Sequence, residues 1–192
     1  MPEPSAARTR AFPTPKKFNA WLAVHHATET ELWLKIHKKA SGLQSITWQE
    51  AVIEALCWGW IDGVKKSLDD ISYLQRFTPR RPKSNWSQRN REHVERLLAE
   101  NRMQEPGLAH VRAAQADGRW DAAYAPSSEV VVPADFVAAV RTDPSAKAFF
   151  ATLNKANLFA IAYQLQTAKK PETRQRRFDN LLAMLKSQTR IH

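Results

Sequence analysis

The sequence predicts an α+β protein: a small helix-covered antiparallel sheet followed by a C-terminal helical bundle. Three observations carry this. The stretch Glu31 to Lys38, ELWLKIHK, alternates apolar and polar residues, the period of a half-buried strand. WIDGVKKSL and ISYLQRFT flank Asp69-Asp70 and read as a β-hairpin. Beyond residue 133, apolar positions recur at helical spacing.

Taken in order, Thr14-Pro15 opens a helix with a hydroxyl cap and a first-turn proline. Phe18, Trp21, Leu22 and His25 share its buried face. After the first strand, Ser41-Gly42 turns the chain. Thr47 with Glu50 is a capping box. Val52, Ile53, Leu56 and Cys57 make that helix's stripe, which is predicted to end near Trp58-Gly59. The hairpin follows from Trp60. Asn85 or Ser87 is expected to cap the next helix, with Val94, Leu97 and Leu98 buried, and Pro106-Gly107 is expected to break it before a short helix over Leu108 to Ala116. Asp143-Pro144, Asn154 and Pro171 start three further helices. Their apolar faces are Phe149, Phe150 and Leu153, then Leu158, Ile161, Ala162 and Leu165, then Phe178, Leu181, Leu182 and Leu185. The expected organisation is a flexible tail over 1–14, an α+β domain over 15–124, a linker over 125–133 and a helical domain over 134–192.

A chain of 192 residues that is 43% hydrophobic and 25% charged has material for a packed core. Lys and Arg number 29 against 19 Asp and Glu, a formal charge of +10. That field favours anionic partners: nucleic acid (DNA or RNA), phosphorylated ligands or an acidic membrane surface. Cys57 is the only cysteine, so no intramolecular disulfide or cysteine-based zinc cluster is expected. The N-terminal MPEPSAARTRAFPTP lacks the apolar core of a signal peptide. No run approaches the roughly 18 apolar residues of a membrane span. A cytoplasmic location is the expectation.

The chemistry-bearing candidates concentrate in RFTPRRPKSNWSQRN. Arg76, Arg80, Arg81, Lys83 and Arg89 fall in a stretch, Ile71 to Arg91, that contains no Asp or Glu. Pro79 and Pro82 stiffen it, and the expected helix start beyond it offers free amides to an anion. A charge run is usually a solvated face, so an anion site and a wet turn both stand. Trp86 beside the arginines is the best-placed tryptophan for stacking on a base, ahead of Trp58 and Trp60, although such residues more often pack in cores. A second basic patch joins Lys170, Arg174 and Arg177, the last two sharing a helix face. Asp62, in WIDG, sets a tight turn or bulge, or else holds Arg76 or Arg80 for ligand recognition. An adaptor role would require an exposed apolar patch around Trp33 or Trp120. Glycine-rich phosphate loops, GxSxG and HExxH are absent, and the histidines are scattered. No cofactor and no metal are expected.

EALCWGWIDGVKKSLDDISYLQRFTPRRPKSNWSQRN resembles the core of the YdeI/OmpD-associated, or bacteriocin-protection, family, and AKKPETRQRRFDNLLAML resembles that family's C-terminal signature. The resemblance extends over nearly all of residues 12–187. One departure is the stretch NKANLFAIAYQLQTA, where relatives are more polar and arginine-rich. The resemblance implies a link to protection against bacteriocins or other antimicrobial peptides and to an outer-membrane porin. It implies no catalytic residues and no cofactor. A regulatory or indirect role would reconcile a cytoplasmic chain with that porin. The resulting expectation is a non-enzymatic protein that binds an anionic ligand, nucleic acid or a phosphorylated small molecule, through the arginine-rich segment. The alternative is a small enzyme with Asp62 as base and the arginines as an anion clamp.

Overall fold

A computed structural model describes residues 2–126, 129 and 131–191. The chain divides into two compact units, Met1–Ser84 with Asn90–Asp121, and Asn85–Arg89 with Ala122–His192. The expected linker over 125–133 lies partly outside the described residues.

The first unit holds a four-stranded sheet in the order β1-β2-β4-β3. Its strands are β1 (Thr9–Ala11), β2 (Leu32–His37), β3 (Trp60–Ser67) and β4 (Ser72–Pro79). β2, β4 and β3 pair antiparallel, and β1 adds in parallel to the outer edge of β2. That edge strand lies within the 1–14 segment expected as a tail. The open amides and carbonyls of β2 need partners, and Arg8 ties the segment down through Glu31 at 3.1 Å. Glu3 adds a pair to Lys66 at 2.6 Å.

Helices α1 (Pro15–His25) and α2 (Trp48–Cys57) cover one sheet face. Phe18 meets the Phe77 ring at 5.7 Å, and Trp21 meets Trp60 edge-on at 5.9 Å. Thr14 caps α1, and Thr47 with Glu50 forms the complete capping box of α2. Burial extends through both faces of β2: Leu32, Trp33 and Leu34 are all enclosed. The half-buried strand expected there is a core strand. Glu54 is buried on α2, where it accepts from Asn19 Nδ2 and Arg102 Nη2, both at 2.6 Å.

Helices α3 (Gln88–Ala99) and α4 (Glu105–Ala116) follow. Pro106-Gly107 does not break a helix; it lies in the first turn of α4, where proline loses no hydrogen bond. Gly107 lets α4 approach α2. A Cβ there would stand 2.4 Å from the Cys57 carbonyl oxygen. α3 begins at Gln88, so Ser87, one of the two expected caps, directly precedes it and also bridges to Tyr124, while Asn85 Nδ2 donates to Tyr163 Oη at 3.3 Å.

The second unit is built from α5 (Ala134–Arg141), α6 (Pro144–Phe150), α7 (Lys155–Gln166) and α8 (Pro171–Lys186). Phe136, Val140, Ala146, Ile161, Leu165, Leu181 and Leu185 form its core. Asp143 and Asn154 cap α6 and α7 by accepting from Ala146 N and Asn157 N. Asn157 is a buried polar residue that the apolar pattern does not reveal; its Oδ1 accepts from Ile191 N at 3.1 Å.

Candidate functional site

The site with the most chemistry in the first unit is made by a β-bulge. Asp62 stands opposite Phe77, and Lys65 stands opposite Gln75. β3 therefore spends one more residue than β4 between these two pairs. Phe77 and Gln75, two apart, point the same way, so Asp62 and Lys65 share the helix-covered face. Strict alternation would have placed them on opposite faces. The Asp-Gly pair sets a bulge, as one reading expected, and in doing so aims the carboxylate at α2.

There Asp62 Oδ2 accepts from Trp48 Nε1 at 3.0 Å. Burial pushes the Asp62 carboxyl above its ordinary range. The Trp48 N–H, its own backbone N–H and the Arg80 charge pull in the other direction with less effect. Gln75, almost fully buried, donates from Nε2 to the Gly63 carbonyl across the bulge at 2.8 Å. Lys65 Nζ lies 4.1 Å from the centroid of the Tyr73 ring. Trp48, Asp62, Gly63, Lys65, Tyr73 and Gln75 line an open cleft of about 320 Å³. Of these, only Asp62 was a candidate from the sequence. Trp48 was legible only as a first-turn residue after a capping threonine, and the other contributions depend on the bulge.

The arginines do not gather around Asp62. Arg76 stands opposite Trp33, one position away from Phe77, so it points to the other sheet face. Its Nε donates to Glu31 at 2.7 Å, which holds the Glu31 carboxyl below its usual range, with Arg8 adding to the effect. Arg80 is buried beside the sheet end, where its backbone N–H donates to Gly59 O at 2.8 Å. Its charge reaches Asp62 and also His110, whose pKa is lowered first by burial and then by Arg80 and Arg119. Arg81 and Lys83 are exposed and form no ion pair among the described residues.

In the second unit, Trp86 is 2% exposed, which withdraws its face from any base; burial also explains its place in the sequence as packing. Arg89 is exposed. The second basic patch is largely spent on folding. Arg174 pairs with Asp135 at 2.7 Å, and Arg177 donates to Gln164 O at 2.7 Å, satisfying a carbonyl near the end of α7. Lys170 is exposed at the N-cap of α8. Trp60 is buried with its Nε1 on His26 O at 3.1 Å, and Trp58 packs on the His26 ring at 4.8 Å. Trp33 and Trp120 are buried too, so neither supplies the exposed apolar patch an adaptor would need. Among the described residues, no group of three or more His, Cys, Asp and Glu is placed to share a metal. No described helix is long and apolar enough to cross a membrane.

Residues 10–110 match the family described as Domain of unknown function (DUF8412). The chain belongs to that family. Residues 129–188 match a second model, described as Bacteriocin-protection, YdeI or OmpD-Associated. The YdeI/OmpD-associated resemblance therefore holds over the segment containing AKKPETRQRRFDNLLAML, whereas the Glu54–Asn90 stretch falls within the DUF8412 match. No curated protein and no solved structure matches the chain.

Proposed function

We propose that this DUF8412 protein, with its YdeI/OmpD-associated segment, is a cytoplasmic, non-catalytic binding protein for an anionic ligand, either nucleic acid or a phosphorylated small molecule. One observation carries the reading: Arg81 and Lys83 stand exposed and, among the described residues, without ion pairs in a segment free of Asp and Glu, while the flanking Arg76 and Arg80 are taken into the fold. Exposed, unneutralised cations on a proline-flanked loop keep their full attraction for phosphate and lose little entropy on binding. The link to bacteriocin protection comes with the family resemblance and is then indirect, through the ligand.

Fluorescence anisotropy with labelled single-stranded DNA and RNA, at low and moderate salt, tests this. Binding is expected at low salt, with loss as salt rises and at least several-fold weakening in the double variant Arg81→Ala, Lys83→Ala. Competition by a nucleoside triphosphate would favour the small-molecule form. Binding indifferent to salt and to both substitutions refutes the reading, as does no binding to any of these probes.

Asp62 favours a second reading, a small enzyme that uses it as base. It sits in a cleft with a desolvated carboxyl that accepts from the Trp48 indole N–H as well as from its own backbone N–H. The clamp would then be Lys65 in the cleft, since Arg76 faces away.

A further inference from the structure

Three fixed features meet around Asp62. Trp48 keeps 38% of its surface exposed although it is an indole. Its N–H is held by Asp62, so the ring is oriented before a ligand arrives. The same cleft carries the Lys65 ammonium over Tyr73, with the Gln75 amide anchored on the Gly63 carbonyl. We propose that this cleft binds a single sugar ring bearing an acidic group: the ring's C–H face stacks on Trp48, its hydroxyls meet Asp62 and Gln75, and its acidic group meets Lys65.

Each part of the ligand follows from a part of the cleft. An exposed, immobilised aromatic face offers dispersion contact to a flat apolar surface, and fixed polar groups at its edge read hydroxyls. A cationic guest is disfavoured because the Lys65 ammonium already occupies the Tyr73 face, and the +10 charge repels it. The volume, about 320 Å³, stands at the lower end of ligand pockets, which run from about 300 Å³ upward. That suits one ring rather than a dinucleotide or an oligomer. Arg81 and Lys83 take no part, so the inference goes beyond the anion-binding reading and stands or falls separately.

The test is a heteronuclear NMR titration that follows the Trp48 indole N–H and the Gly63 amide. The probes are glucuronate, glucose-6-phosphate, glucose and inorganic phosphate. Both signals are expected to shift saturably with the two anionic sugars, at several-fold lower concentration than with glucose. Lys65→Met is expected to erase that preference. Trp48→Ala is expected to remove the Gly63 response. If that variant does not fold, Trp48→Phe is expected to keep a weakened response. The pair Arg81→Ala, Lys83→Ala is expected to leave the titration unchanged. No saturable shift with any sugar overturns the proposal. So does an equal response to glucose, to inorganic phosphate, or in the Lys65→Met variant.

Discussion

Asp62 combines a cost and a contact, and they can be separated by substitution. Burial raises its folded pKa above the ordinary 3.8, so the protonated form is the one the fold prefers. Its contribution to stability is complete below 3.8 and is lost as pH rises through the raised folded value. Ionising this carboxyl in the fold therefore carries a desolvation cost. Asp62→Asn keeps an oxygen for Trp48 Nε1 and removes the charge. Its melting temperature at neutral pH should equal or exceed that of the parent protein, and the difference should shrink in acid. Asp62→Leu removes the acceptor and is expected to cost about 1 kcal/mol. If Asp62→Asn melted well below the parent at neutral pH, the carboxylate charge would be a stabilising element, and desolvation would not dominate. Cys57 shows the same physics without a cleft. Burial, with Glu54 nearby, pushes its thiol up to about 12. A thiol reagent at neutral pH should find it silent in the native protein and reactive after urea unfolding. Its burial was legible from its place on the apolar stripe of α2. The direction of Asp62 was not, because one extra residue in β3 reverses which face a side chain takes.

At the scale of elements, helix starts were the most legible features, since each depends on two or three neighbouring residues. Thr14, Thr47, Asp143 and Asn154 all cap as their types dictate. Thr47→Ala should cost about 1 kcal/mol, read from urea denaturation. It should also loosen Trp48, so the Trp48 indole N–H signal is expected to broaden. The edge strand β1 was illegible because three residues, TRA, carry no period of their own; β2 recruits them. The role of Gly107 was equally hidden. Pro-Gly reads locally as a breaker, yet here it is the contact that seats α4 on α2. A methyl at Gly107 would meet the Cys57 and Leu56 carbonyl oxygens at 2.4 Å and 2.7 Å, whereas at Gly118, with φ +75°, it would enter open space. Gly107→Ala is expected to destabilise by about 1 to 3 kcal/mol through backbone displacement. Gly118→Ala should cost about 1 kcal/mol for its conformation alone. Equal losses in the two variants would mean that the close approach of α4 is unimportant.

Across the whole molecule, the basic segment that dominates the sequence is divided by the fold. Arg76 and Arg80 serve the sheet unit, Trp86 is buried in packing, and Arg174 and Arg177 serve the helical unit. Composition counted charges correctly but could not tell which had partners, because Glu31 and Asp135 lie 45 and 39 positions from the arginines they hold. The two units also have separate cores. Phe136, Ile161, Leu181 and their neighbours enclose one another within the second unit, and Phe18, Trp33, Trp60 and Phe77 belong to the first. This permits a test of cooperativity with intrinsic probes. Trp21, Trp33, Trp48, Trp58, Trp60 and Trp120 lie in the first unit, so tryptophan emission reports mainly on it; Trp86 alone lies in the second. Far-ultraviolet circular dichroism reports the helices of both. Leu181→Ala empties a fully packed position and should cost the second unit about 2 to 5 kcal/mol. In urea, the dichroism transition should then start earlier and broaden, while the emission transition stays close to its parent midpoint. A parallel shift of both curves would show that the two cores unfold as one cooperative body. Separate shifts would mean that the segment matching the bacteriocin-protection description keeps a stability of its own, to be tuned or lost without unfolding the sheet that carries Asp62.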